Sequence, residues 1–503
     1  MTARQKVGFL GILMSLALAF LIAQFDAVLA LGAVVLLGLL ILMVAFPEIG
    51  TIIAIFVLYT NMAGIAVNRY GIPAEIGKSF SLILGLPLVS YLIVQRQKLV
   101  IDRTFLLMLV FLGALLVSSL VAVDLNLALD EIIEYLVEGL ALYLLLINVI
   151  RKYVTLKRVI WTLILAASML GSFTTYQELT NSYDQEFGGL APRHSLEESG
   201  TVAEDEDIQL NRAGGPVDGN PNRYAQILMV IFPLALFRVW AERSIWLRAL
   251  ALGASILIIS GILLTYSRGA FVTLVLVLLV MTFLRYIRLH QILISVGALV
   301  LLVSMVAPGY LYRLDSLRGV QGLISSEADA EPDYVTRSRV TEMLAALNVF
   351  LDHPIIGVGP GQYTPYYSID YQLDPEIALR YIPKTRRAHT LYFELGAETG
   401  AIGLGTFLAI LLLIMYRLWR TRRRWIQTRV DRANIATALL LSIFGYLGTA
   451  IFLHLSYQRY FWLLVALTTA AIQIFEAEFV QEEKSAEAPN MKGSLLAEQA
   501  AST

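Results

Sequence analysis

A chain of 503 residues that is 57% hydrophobic and only 15% charged, with a mean hydropathy of +0.70, excludes a soluble globular enzyme and predicts an all-α, polytopic transmembrane helix bundle. Its formal net charge of −1 says little about partners, but the lack of cysteine excludes disulfides, thiolate catalysis and Cys-based metal sites. Five scattered histidines offer no His-rich metal cluster, and no Walker or dinucleotide-binding glycine motif couples the chain to a nucleotide.

Crossing about 30 Å of hydrocarbon takes roughly 20 residues, and about 14 apolar segments could form the cores of such spans. They are 7–22, 28–44, 52–67, 82–94, 105–123, 132–149 and 159–176, then 224–240, 247–266, 271–284 and 292–306, and finally 391–413, 435–455 and 460–475. Arg4 and Lys6 precede the first, which reads as an uncleaved anchor because a second span follows Asp26. Lys and Arg recur in alternate short loops: Arg96, Lys98 and Arg103, then Arg151 to Arg158, Arg243 and Arg248, Arg285 and Arg288, and the stretch 417–432. Positive charge is retained in the cytoplasm, so these loops and both termini face inward. Arg69 and Lys78 are exceptions. The expected organisation is N-terminal spans (1–176), a first long outer loop (177–222), central spans (223–307), a large outer loop with short amphipathic helices (308–390), C-terminal spans (391–476) and a disordered cytoplasmic tail (477–503).

In the first outer loop, Asp205-Glu206-Asp207 has the spacing of a cation-holding Asp-x-Asp pair, but lies in a run that is acidic throughout and reads as solvated. The stretch Arg212-Ala213-Gly214-Gly215 to Asn220-Pro221-Asn222 forces turns before the next helix, which Asn222 can cap. Arg212, in a glycine-rich turn, can reach a phosphate. Arg268, in Thr265-Tyr266-Ser267-Arg268-Gly269-Ala270, sits between two spans at headgroup depth, where it either snorkels or meets a phosphate.

Farther on, Val340, Met343, Leu344, Leu347 and Phe350 repeat at helical spacing, so 339–351 predicts an amphipathic helix lying on the interface or covering the bundle. His353-Pro354 to Gly361 reads as a structural turn, with a phosphate cradle as the alternative. Tyr363, Tyr366, Tyr367, Tyr371 and Tyr381 suit an interface belt or sugar stacking. His389 then stands where a polar loop enters an apolar helix, with Arg386 and Arg387 before it. It is either a base or an interfacial imidazole with a structural hydrogen bond. Glu394 and Glu398 share one helix face and call for arginine partners. Gly396 and Gly400 form a small-residue contact for a neighbouring helix. Glu134 and Glu138 repeat the carboxylate spacing and could instead line a proton or ion path.

Taken together, Arg212 to Asn222, Ser267-Arg268-Gly269-Ala270, His353 to Gly359, and His389 followed by Glu398-Thr399-Gly400-Ala401-Ile402-Gly403 resemble the bacterial O-antigen ligase and polymerase superfamily, over roughly 212–410 and in the expected order. Thr390 stands where that family usually has Asn, and about 14 spans exceed its usual number. The resemblance implies a GT-C-type glycosyltransferase of the bacterial inner membrane, without metal or cofactor, whose active site faces outward. Its partners would be an undecaprenyl-diphosphate-linked glycan donor and a glycan, lipid or protein acceptor, with no nucleic acid. His389 would then be the base, Arg212, Arg268 and the weaker candidate Arg387 the diphosphate contacts, and Glu394, Glu398 and Asn222 supports. Direct displacement by one base implies inversion. A transporter or flippase is the alternative. It draws on the carboxylates within spans but finds no broken-helix pair in the sequence. A non-catalytic envelope scaffold is a third reading.

Overall fold

The computed structural model describes residues 40–71, 85–195, 211–288, 334–367, 387–455 and 458–501, apart from residue 218, with a few isolated positions between these stretches. In chain order its helices are α1 (Pro47–Tyr59), α2 (Met62–Tyr70), α3 (Gly85–Val94), α4 (Arg103–Ser119), α5 (Leu125–Val149), α6 (Tyr153–Thr180), α7 (Pro221–Ala241), α8 (Ile245–Leu263), α9 (Arg268–Phe283), α10 (Tyr334–Asp352), α11 (Leu391–Trp425), α12 (Val430–Thr449) and α13 (Gln458–Ala501). Strands β1 (Arg193–Ser195) and β2 (Asn211–Ala213) pair antiparallel, with His194 opposite Arg212.

Among the described residues, seven helices, α5 to α8 and α11 to α13, are long and apolar enough to cross a membrane. The pair α1 and α2, bent by 51°, makes an eighth if it forms one span, while α3, α4 and α9 are apolar but shorter. This falls short of the about 14 spans expected. Segment 7–22, most of 28–44 and most of 292–306 lie outside the described residues. The bent pair also corrects the expectation that no broken helix occurs. Asn61, in left-handed backbone at the bend, ties it down by donating to the Pro216 carbonyl (2.7 Å) and accepting from Arg459 (2.6 Å).

The most enclosed span is α7, with 78% of its apolar window buried, and it packs against α6, α8 and α12. Aromatic side chains fill the neighbouring core: Phe111 with Tyr135 (ring centroids 5.2 Å apart), Phe407 with Phe461 (5.2 Å) and Phe461 with Trp462 (4.8 Å). Several carboxylates within the spans are paired. Glu138, in a π-helical stretch of α5 (Tyr135–Ala141), takes Arg459 at 3.0 Å. At the other end of the bundle, Arg417 meets Asp102 and Glu476, and Glu242 is shared by Lys157 and Arg238.

Two elements differ from expectation. The buried face of α10 carries Ser338, Thr341, Glu342, Ala345 and Val349, whereas Val340, Met343 and Leu347 are only half-buried and Leu344 is exposed. The helix does cover the bundle, packing on α11, but through its small and polar face, because small side chains permit the closer approach. At the C-terminus α13 continues to Ala501, where a disordered tail beyond 476 was expected. Its Ala, Glu, Gln and Lys content has high helix propensity.

The most consequential feature is an interruption of α11 at Gly400 (φ 61°, ψ −167°). The N–H groups of Ala401 and Ile402 leave the helix ladder for the carbonyls of Pro354 (2.8 Å) and Ile355 (3.3 Å). In exchange, the N–H groups of Val358 and Gly359 bond the carbonyls of Ala397 (3.0 Å) and Glu398 (2.9 Å). A Cβ on Gly400 would lie 2.3 Å from the Ile355 backbone. Gly400→Ala should therefore destabilise the protein by about 2 kcal/mol. Gly405→Ala, at a position with open space around it, should be neutral or stabilising by about 0.5 kcal/mol. Thermal unfolding in detergent reads both, and equal melting temperatures would contradict the assignment.

Candidate functional site

The site forms where five connecting segments meet at one end of the bundle. Arg212 is buried on β2; its Nε donates to the Thr265 carbonyl (2.8 Å) and its Nη2 to Asn222 Oδ1 (3.2 Å). It is thus anchored to the turn that carries Arg268. In that turn Tyr266 adopts left-handed backbone (φ 50°), Ser267 Oγ caps the N–H of Ala270, and the buried Arg268 is the first residue of α9. Helix N-termini and adjoining guanidiniums favour anions. The expected capping residue for α7 is corrected. Asn220 caps it, accepting from the N–H groups of Asn222 and Arg223, with Pro221 as the first helical residue. Asn222 is thereby left to hold Arg212.

Gly269 lets the loop before α13 come close, since a Cβ there would meet the Phe452 ring at 2.6 Å. Two residues on, His454 lies 2.7 Å from Arg223 Nη2 through Nε2. A guanidinium only donates, so Nε2 accepts and Nδ1 carries the ring proton. Burial first, then Arg387, Arg223 and His389, hold the His454 pKa well below its ordinary value, so this imidazole is neutral. Its centroid is 6.0 Å from that of His389. His389 has left-handed backbone (φ 51°) and its Nε2 lies 3.5 Å from Oε2 of Glu342. Arg212, Arg268 and His389, far apart in sequence, are therefore linked through Thr265, Phe452, Arg223 and His454.

Arg387 is engaged elsewhere. It bonds Glu394 through Nε (2.7 Å) and Nη2 (2.6 Å), and Glu131 through Nη1 (3.1 Å). Burial lowers its pKa, but Glu394, Glu131 and Glu398 raise it by more, so the guanidinium stays charged. The other Glu394 oxygen accepts the N–H of Ala388 (2.8 Å), which fixes the residue before His389. Glu398 accepts the N–H of Tyr363 (3.4 Å) and lines a small cavity with Glu131, Arg387 and Glu394.

The glycine-rich turn after His353 is a brace for α11, since the N–H groups of Val358 and Gly359 are committed to it. Tyr363 and Tyr367 are buried in a secondary core with Ala345, Val349, Val358 and Ala397. Asp205, Glu206, Asp207, Tyr371, Tyr381 and Arg386 lie outside the described residues. Sequence reasoning missed Arg223, Glu342 and His454. The signals were an arginine in the first turn of α7, a histidine in the loop before α13, and a carboxylate on the small-residue face of a helix.

A multi-pass helical membrane protein with guanidiniums and an imidazole gathered at one bundle end is the class that fold and site define. Residues 253–408 match the family model described as O-antigen ligase, which supports the O-antigen ligase and polymerase superfamily. That span includes Arg268, Glu342, His389, Glu394 and Glu398; Arg212, Arg223 and His454 fall outside it. No curated protein matches the chain.

Removing one partner of a buried ion pair leaves an uncompensated charge and costs more than replacing both. Arg387→Met should destabilise by about 3 kcal/mol, and Arg387→Met with Glu394→Leu should recover part of that loss. A double-mutant cycle on thermal unfolding measures the coupling, and strict additivity would contradict the pairing.

Proposed function

We propose that this protein transfers a glycan from an undecaprenyl-diphosphate carrier to an acceptor hydroxyl on the outer side of the bacterial inner membrane, as a surface-polysaccharide ligase or polymerase. The observation that carries the reading is the junction of the Arg212 strand, the Ser267–Arg268 turn and the His389 loop. Three segments remote in sequence bring two cations and a base to one end of the bundle. The arginine pattern supports reading that end as the outer one.

In this reading His389 removes the proton from the acceptor hydroxyl, whose oxygen forms the new bond at the anomeric carbon. The anomeric carbon–oxygen bond to the carrier breaks, and its electron pair leaves on the diphosphate. Arg212, Arg268 and the N-terminus of α9 offset the growing negative charge. A diphosphate leaves as a stable anion, so the step asks for neither a protonated acid nor a metal, and one displacement inverts the anomeric centre. Arg387, Glu394 and Glu398 hold the His389 loop, and Asn222 holds Arg212.

Transport is the rival. The bend between α1 and α2 and the break in α11 speak for it. Against it, the bend is tied by Asn61, the α11 break is completed by the 354–359 loop, and Glu394 and Glu138 are matched by Arg387 and Arg459.

The test is reconstitution with a radiolabelled lipid-diphosphate glycan and a panel of acceptor glycans, lipids and proteins. His389→Ala should lower transfer by about 10³-fold, and Arg212→Ala or Arg268→Ala by about 10²-fold, with folded protein retained. The product should show inversion. Full transfer by His389→Ala, or carrier translocation without transfer, would overturn the reading.

A further inference from the structure

We infer that Glu342 is a positioning residue for His389: its carboxylate orients the imidazole and offsets the positive charge that the ring gains with the acceptor's proton. The inference rests on the reading of His389 as the base. It starts from the inverted packing of α10. An amphipathic helix at a membrane surface ordinarily turns its large apolar side chains toward the protein core or the lipid and its charges toward water. This one buries Glu342 to 0% exposure among Ser338, Thr341, Ala345 and Val349 and leaves Leu344 outside. Removing a carboxylate from water costs several kcal/mol unless partners recover it. Its partners include Ser338 Oγ at 3.4 Å from Oε1 and His389 Nε2 at 3.5 Å from Oε2.

The surroundings hold this pair in place. Tyr363 donates its hydroxyl to the Glu342 carbonyl (2.7 Å), and Gly396 in α11 admits Phe350 of α10. Together with the backbone exchange at Gly400, these contacts dock α10 beside the His389 loop. His389 is constrained from its own side by left-handed backbone, by the Glu394 bond to the preceding N–H, and by the Leu391 N–H donating to the Ala450 carbonyl (3.0 Å). Among the described residues, the charged and titratable groups around the ring include Glu342 from α10, His454 from the loop before α13, Arg223 of α7 behind His454, and Arg387, which Glu394 and Glu131 occupy. Glu342 is thus a carboxylate that faces the base. In acid–base catalysis a carboxylate behind an imidazole fixes its orientation and stabilises the imidazolium.

The experiment is the rate–pH profile of glycan transfer by full-length protein in liposomes, for the wild type, Glu342→Gln and Glu342→Asp, with His389→Ala as reference. Glu342→Gln keeps shape and removes charge. It should lower kcat about 10²-fold and move the acid limb of the profile about one pH unit lower, with KM for the donor within about twofold. Glu342→Asp, whose carboxylate is withdrawn by one methylene, should fall between glutamine variant and wild type on both counts. If the glutamine variant fails to fold, the aspartate variant decides alone by the position of its limb. Unmoved limbs overturn the inference, whether rates fall or not, because a purely structural role would change rate or stability without moving the titration. Transfer by the wild type but not by His389→Ala, together with unmoved limbs, removes only Glu342's role. No transfer by the wild type removes the proposed function and this inference with it.

Discussion

A helix that breaks inside an apolar layer leaves peptide groups that neither lipid nor side chains can easily satisfy. In α11 the break at Gly400 is resolved by trading four hydrogen bonds with the loop 354–359, and Ser118 adds its hydroxyl to the Glu398 carbonyl (2.5 Å). Much of the site follows from that trade. The loop can reach the helix only because Gly357 and Gly400 lack side chains: a Cβ on Gly357 would meet the Glu398 backbone at 2.4 Å. Once docked, it fixes the end of α10, and α10 delivers Glu342. The short helical segment 391–399 above the break carries Glu394, which holds both Arg387 and the residue before His389. A packing requirement within the membrane layer thus becomes a geometric requirement on an imidazole at its surface.

This dependence explains which parts were legible in the sequence. The described spans are local properties of long apolar runs, and α5 to α8 and α11 to α13 fall on runs visible to the eye. Arg212, Arg268 and His389 stand out in the sequence because each is a cation or an imidazole in a turn or connection that leads into an apolar run. The exchange at Gly400 was not legible, because glycines at 396 and 400 within an apolar run fit a smooth helix contact equally well. The choice between Asn220 and Asn222 as the cap of α7 turns on two residues of register, and only the structure decides it. The inner face of α10 is not legible from sequence, because apolar periodicity locates an amphipathic stripe without saying whether it meets protein or lipid. Where lipid is one of the two media, the larger apolar side chains can face outward and the smaller ones pack inward.

Electrostatics repeats that lesson. Glu131 and Glu394 share Arg387, from the loop before α11, and Glu138 takes Arg459, at the start of α13. From sequence these carboxylates suggest an ion path as readily as a scaffold, because the partner is remote and only the pairing distinguishes the two. A matched pair in a low-dielectric setting resists rearrangement, since opening it exposes two charges at once. That stiffness favours a fixed catalytic geometry over an alternating one.

The same reasoning accounts for the use of loops at the site itself. Guanidiniums on adjacent helices within the hydrocarbon would each require a counter-ion there, whereas guanidiniums on the connections between helices sit at the level where charged headgroups already lie. Arg212 on a short strand, Arg268 at a helix start and His389 before a helix start satisfy that condition. Two of them lie at or close to left-handed backbone, Arg268 two residues after Tyr266 and His389 in its own φ. Such conformations cost about 1–3 kcal/mol each and persist only where the surroundings over-determine them. Here the over-determination is visible: the Ser267 cap, the Thr265 carbonyl on Arg212, the Glu394 carboxylate on Ala388 and the Ala450 carbonyl on Leu391 each hold one strained turn in place.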